Sequence, residues 1–504
     1  MFRRLKQTVK QVQTWMKNHK TIVALLFTAL FVLIQLPLVN THELTAFEGK
    51  TWENAKFLNL DNLYSLNEDY PQPVLWQLLL SPLAKLGLPV LAMKIAALAA
   101  VALAVFLLIR FSKMHPGLKL VFIASSAFCY FNPIIATNYA LLPLAAVLVS
   151  LAYEKRHDHV IRYSLGLALL AQTHLLISGL TLALVLAFIV EEIVGKNDLK
   201  KTIKNLALFI IPIAIAIAAL LPNIILSFEH NNFLNGKAYE NVAVEKQPNF
   251  VENVEASIFG LKTDFSVVLS IILLVILAIA LLSTSLKLTF LGFAGFGVWF
   301  FILAVLYRSY ITMPQKTSVL VLILFIILAA AQSEKIKPDN FISKILGHSE
   351  IVKFARLYFK SSLALIIVPL TLMTTPMTIA SAINDYRHYD TNSAEVYNLI
   401  NSFEKGSLVI IASPNAAGYF RYSVLAGIEN DVEYYDIVLD RTETEESLFY
   451  AYKDSTRYDN TTSMKDEYVE EKLGAIKDEY DHIYYFTGRP SCNNASPYNY
   501  KVIE

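Results

Sequence analysis

The stretch THELTAFEGKTW, residues 41–52, follows an apolar run over 21–39 and sets His42, Glu43 and Glu48 at its lip. A carboxylate there can act as a general base, because apolar surroundings raise its pKa toward neutrality. A phosphate carried on a lipid tail presents itself at the same depth. The competing reading is a solvated loop start, where acidic residues are common. A second cluster, Glu68, Asp69, Tyr70 and Gln72 within NEDYPQPVLW (67–76), brings the chain back to the membrane and can share a cavity with the first. The adjacent pair Glu68–Asp69 is also a weak signal for a divalent cation, Mg or Mn.

Phosphate chemistry needs cations. LYRSYITMPQKTS (306–318) supplies Arg308 and Lys316 between two apolar runs. An Arg fork binds phosphate bidentately, although two interfacial snorkelling cations would read the same way. Polar groups inside apolar runs are costly and therefore informative. Asn138, Tyr139 and His174 are of this kind and become candidate substrate contacts; a lone His there is more often a hydrogen-bonded packing residue.

The elements that must hold these residues are membrane helices. The 504 residues are 55% hydrophobic with a mean hydropathy of +0.46, above a soluble domain's apolar share. Apolar runs of bilayer length predict eleven spans, near 21–39, 89–109, 118–134, 138–153, 161–176, 177–194, 204–226, 266–283, 287–307, 316–332 and 362–382. The first is too long for a signal-peptide core and is expected to stay as an anchor. Lys and Arg crowd the N-terminal arm and every second loop, which puts the N-terminus inside and residues 383–504 outside. Charge divides the same way: 383–504 carry 22 acidic and 11 basic residues, a net −11, while the remainder is +12. The expected organisation is a polytopic α-helical domain over 1–382, with outer loops 40–88 and 227–265, and an extracytoplasmic α/β domain over 383–504. Within loop 40–88, VLWQLLLSPLAKLGLP predicts an interfacial amphipathic helix anchored by Trp76. In the tail, GSLVIIAS and DHIYYFTG read as buried strands. No nucleic-acid signature and no Cys/His metal spacing are present in the sequence.

This order of features resembles the bacterial multi-spanning glycosyltransferases of the GT-C superfamily, in the dolichyl-phosphate-mannose-type and related group. Members often have DEA in the first loop and GHPPLWY later; here HEL stands at 42–44 and YPQPVLW at 70–76. ATNYALLPL (136–144) is similar to the relatives' ARSYALG, and LAQTHLLISG (170–179) to a polar cluster within a span. His42 replaces the usual Asp, and Thr137 replaces a common Arg. The resemblance implies a polyprenyl-phosphate sugar donor, a cell-envelope glycan, lipid or protein acceptor, and inverting transfer. Glu43, with His42 and Asp69, would be catalytic; Glu68, Tyr70, Gln72, Asn138, Tyr139, His174, Arg308 and Lys316 would bind substrate. No cofactor is implied beyond the candidate divalent cation. Two alternatives stand beside it: a transporter or flippase for lipid-linked glycans, which calls for broken helices, and a non-catalytic scaffold or receptor whose tail binds a ligand.

Overall fold

The computed structural model describes residues 15, 18–64, 73–195, 198–230, 264–302, 314–334, 359–387, 393–411, 425–436, 441–443, 483–486 and 500–503. Candidates Glu68, Asp69, Tyr70, Gln72 and Arg308 lie outside the described residues, as does most of loop 227–265.

Helix α1 covers Lys20–Thr41, and α2, Ala46–Lys56, begins at a reciprocal cap. The Thr45 hydroxyl accepts from the Glu48 N–H, and the Glu48 carboxylate accepts from the Thr45 N–H. Helices α3 (Leu75–Lys85), α4 (Leu91–Phe111) and α5 (Pro116–Ile123) follow. Next come α6 (Leu142–Tyr153), α7 (Val160–Ala171), α8 (Ser178–Val194) and α9 (Leu199–His230). The later helices are α10 (Asp264–Thr284), α11 (Leu286–Phe301), α12 (Pro314–Ser333), α13 (Phe359–Leu372), α14 (Thr375–Arg387) and α15 (Ser393–Asn401). Five of the described segments are long and apolar enough to cross a membrane: Lys20–Thr41, Leu91–Phe111, Leu175–Val194, Leu199–Pro222 and Lys316–Ser333.

Contacts divide the chain into two compact units. One comprises residues 1–39, 63–76 and 96–383, the other 40–62, 77–95 and 384–504. In the first, α12 is the central helix. Every residue from Lys316 to Ala331 is buried, and the helix packs against α6, α11 and α13. Outer helices do the reverse: α1 exposes Leu25, Leu26, Leu30 and Leu33, and α9 exposes Ile210, Ile211 and Ile215. Contiguous apolar bands of this size need a non-aqueous neighbour. Helices α8 and α11 approach closely at Gly179, where an added Cβ would lie 2.3 Å from the Ala294 carbonyl oxygen.

At one end of this unit an ionic lattice joins α6, α8, α9, α11 and α12. Arg156 grips Glu191 with Nε and Nη2 at 2.8 and 3.0 Å, and Nη2 reaches Glu334 at 3.3 Å. Lys287 bonds both Glu191 and Glu334, and the Tyr153 hydroxyl donates to Glu334 at 3.0 Å. His157 bridges Glu192 through Nδ1 at 2.6 Å and Glu191 through Nε2 at 3.2 Å. Asn205 completes the set by donating to Glu192 at 3.1 Å.

The second unit contains a mixed sheet of β1 (Leu408–Ile411), β2 (Glu433–Asp436), β3 (Arg441–Glu443), β4 (Ile483–Phe486) and β5 (Tyr500–Ile503). The order is β3-β2-β1-β4-β5, with the central three parallel and both edge strands antiparallel. Strands β1 and β4 fall within GSLVIIAS and DHIYYFTG. Asn401, at the end of α15, donates to the Gly427 carbonyl and accepts from the N–H groups of Glu429 and Asn430.

Two expectations need revision. The run 118–134 does not continue as one helix: α5 stops at Ile123, and residues 124–137 are irregular. Ser125 and Asn132 spend their side chains on the carbonyls of Phe122 and Ala127, and Pro133 has no N–H to donate. Trp76 is not an exposed anchor. It is buried, and its indole N–H donates to the Ala136 carbonyl at 3.3 Å.

Candidate functional site

The candidate residues form two groups, one in each unit. In the second unit, the segment from His42 to Glu48 is held from several sides. The buried Glu48 carboxylate takes the His42 Nε2–H at 2.9 Å and both the N–H and the hydroxyl of Thr45, each at 2.9 Å. An ionised carboxylate only accepts, so Nε2 of His42 carries the proton. The Lys94 ammonium, buried at the start of α4, donates to the His42 carbonyl. Burial alone would raise the Glu48 pKa. The His42 charge and hydrogen bond, Lys94 and the Thr45 N–H outweigh it and hold the group down at about 2.

Glu43, between these anchors, is itself buried. Tyr397 of α15 lies within electrostatic reach of it. Burial first, then the Glu43 and Glu429 charges, raise the Tyr397 phenol pKa. The Tyr397 ring rests on Gly427, where any Cβ would approach it to 2.4 Å. The 3-10 turn Leu425–Gly427 packs against both α2 and α15, which ties the tail's helix to the first-loop helix.

In the first unit, Asn138, Tyr139 and His174 sit where helices open through 3-10 turns, and Lys316 lies in the first turn of the continuous helix α12. Asn138 and Tyr139 open the 3-10 turn Asn138–Leu141 ahead of α6, and His174 caps the turn Leu175–Ile177 ahead of α8. The His174 ring stacks on Tyr139 with centroids 4.1 Å apart, and its Nδ1 accepts from the Leu176 N–H at 3.1 Å. Nδ1 is thereby unprotonated, which leaves Nε2 as the ring's donor. Lys316 lies within electrostatic reach of His174, and its carbonyl accepts from the Trp299 indole at 3.1 Å. Asn138 donates to the Pro73 carbonyl at 3.2 Å and so fixes the segment that enters α3. An imidazole N–H beside an ammonium is the kind of donor pair that can hold a phosphate oxygen.

Sequence reasoning missed several participants. The T-x-x-E pattern at Thr45–Glu48 and the lone Lys94 in an apolar run were visible signals. Tyr130 has φ +66°, a conformation that is strained for a bulky side chain, and its N–H bonds to Gln35 at 3.3 Å. Nothing in its sequence neighbourhood marks it. Among the described residues no cluster of three metal-ligating side chains occurs. Compared with known proteins, the chain matches no protein-family model and no curated protein.

Proposed function

We propose that this chain is a membrane glycosyltransferase that moves a sugar from a polyprenyl-phosphate donor to a cell-envelope acceptor, with inversion. The reading takes the protein as an eleven-span membrane protein whose site faces outward. Its main support is the burial of Glu43 next to the His42–Glu48–Lys94 framework, with Tyr397 within electrostatic reach. A base held this way is oriented before substrate arrives. In the step, the Glu43 carboxylate takes the acceptor hydroxyl proton as that oxygen bonds to the anomeric carbon. The bond from that carbon to the phosphate oxygen breaks, and polyprenyl phosphate leaves. Positive charge steadies the departing phosphate; Lys316 and Arg308 are assigned to it, with His174 and Tyr139 as donor contacts. His42 is assigned to positioning through Glu48, not to proton transfer. Asp69 remains the second candidate for the base.

Glu43→Gln keeps the shape and removes the basicity. Turnover with a lipid-linked sugar pool should fall by roughly 10²-fold or more, while Asp69→Asn retains most activity. Full activity in Glu43→Gln together with loss in Asp69→Asn would transfer the base to the second cluster.

One observation favours a second reading. Helices interrupted by 3-10 turns, as at 138–141 and 175–177, are a device of membrane transporters, which favours a transporter or flippase for lipid-linked glycans. Reconstituted protein that moves a labelled lipid-linked glycan between leaflets without forming a glycosidic bond would establish that alternative.

A further inference from the structure

Helices α6 and α12 pack together and lead from the Tyr139–His174–Lys316 group to the Tyr153–Glu334 hydrogen bond at their far end. Twelve residues of α6 span about 18 Å at 1.5 Å per residue. At that far end is a cleft of about 290 Å³. Its apolar floor includes Leu108, Val147 and Phe325, and its polar rim includes Lys113, Lys155, Ser112 and one carboxylate, Glu154. Two of the membrane-length segments end here, at Phe111 and Ser333, so the rim sits at headgroup depth and the floor at acyl depth.

Three helix C-termini converge on this cleft, and their carbonyl ends would by themselves repel an anion. Two of the three already hold a cation. The Lys119 ammonium donates to the Ile109 and Ser112 carbonyls at 3.0 and 2.7 Å, and Arg156 Nη1 donates to the Tyr153 carbonyl at 2.9 Å. The nearby carboxylates Glu191 and Glu334 are neutralised by Arg156 and Lys287. That leaves the two rim lysines. Among the described residues Lys113 pairs only with Glu154, at 2.6 Å, in a pair whose side chains are 77% and 43% exposed, which is a weak and exchangeable contact. Among the described residues no carboxylate pairs with Lys155. The Ser150 hydroxyl oxygen is buried against the cleft and makes no hydrogen bond among the described residues.

We propose that this cleft seats an anionic glycerophospholipid, its phosphate between Lys113, Lys155 and Ser150 and an acyl chain along the apolar floor. A free phosphate would use the rim and leave the floor empty. The lipid uses both. The assignment does not depend on the glycosyltransferase reading.

The test titrates the purified full-length protein in detergent with phosphatidylglycerol, phosphatidylcholine or inorganic phosphate and follows the unfolding temperature. Phosphatidylglycerol should raise it saturably, and the other two should not. The pair Lys113→Glu with Lys155→Glu should weaken the phosphatidylglycerol response by roughly tenfold or more, from about 1 kcal/mol per cation. The milder Lys155→Gln should weaken it in part. Lys200→Glu with Lys201→Glu, two exposed cations away from the cleft, should leave it unchanged. Equal loss in both pairs, an undiminished response in the cleft pair, or the same shift from inorganic phosphate would each overturn the proposal.

Discussion

Among single residues, His157 is the most informative charge outside the candidate site. Both of its ring nitrogens face carboxylates, Nδ1 toward Glu192 and Nε2 toward Glu191. Carboxylates only accept, so satisfying both contacts requires the imidazolium. The Glu191 hydrogen bond is the largest influence and raises the His157 pKa above its ordinary 6.5, against burial, with further help from Glu192. The folded-state value is thus the higher one. The stabilisation is complete below pH 6.5 and is lost as pH rises through the folded value. Unfolding temperatures measured from pH 5.5 to 9 should therefore show the parent's advantage over His157→Gln shrinking on the alkaline side. A constant gap across that range would mean that the residue contributes packing alone. Glu43 and His42 illustrate the converse. Adjacent in sequence, they divide into a candidate base and a tethered support because only His42 reaches Glu48.

At the scale of elements, Asn138, Tyr139 and His174 sit at breaks between helices, while Lys316 starts the continuous helix α12. Asn138, Tyr139 and His174 were legible in the sequence because a polar group in an apolar run is expensive and stands out. The strands β1 and β4 were legible for the opposite reason, as continuous apolar runs bounded by turn residues. The break over 124–137 was not legible, because its residues are nearly as apolar as a span and the diversion rests on Ser125, Asn132, Pro133 and the positive φ of Tyr130. The ionic lattice was equally hidden. Arg156, Lys287 and Glu334 look like solvated loop charges until folding joins positions far apart in sequence. Close packing between elements supplies a direct prediction. At Gly179 a Cβ would collide with the Ala294 carbonyl and the Val298 side chain, so α8 and α11 must separate to admit one. Gly179→Ala should cost about 1–3 kcal/mol, as overpacking does, read as a lower unfolding temperature and a lower yield of folded protein. Gly297→Ala, on α11 with open space around it, is the matched control and should be nearly silent. Equal behaviour of the two variants would mean that the α8–α11 approach is looser than described.

For the whole molecule, the question is which side of the bilayer each end occupies. The first unit brings alternate loops to one end: Lys113 meets Glu154, Arg156 meets Glu191 and Glu334, and Lys287 joins the last two. These contacts gather the connections after α4, α6, α8, α10 and α12 on a single face, which is the alternation expected of a chain that crosses repeatedly. The same face holds Lys113, Lys119, Lys155, Arg156 and Lys287, and basic connections remain on the cytoplasmic side. The acidic segment 383–504, a net −11, carries no such retention signal. We therefore predict that this face and the N-terminus are cytoplasmic and that residues 383–504 lie outside. Protease added to intact spheroplasts should remove an epitope placed after Glu504 and spare one placed before Met1, until the membrane is opened with detergent. Cleavage of the N-terminal epitope with protection of the C-terminal one would invert the whole arrangement. It would put the Glu43 segment on the cytoplasmic side and direct the search for donor and acceptor to that compartment.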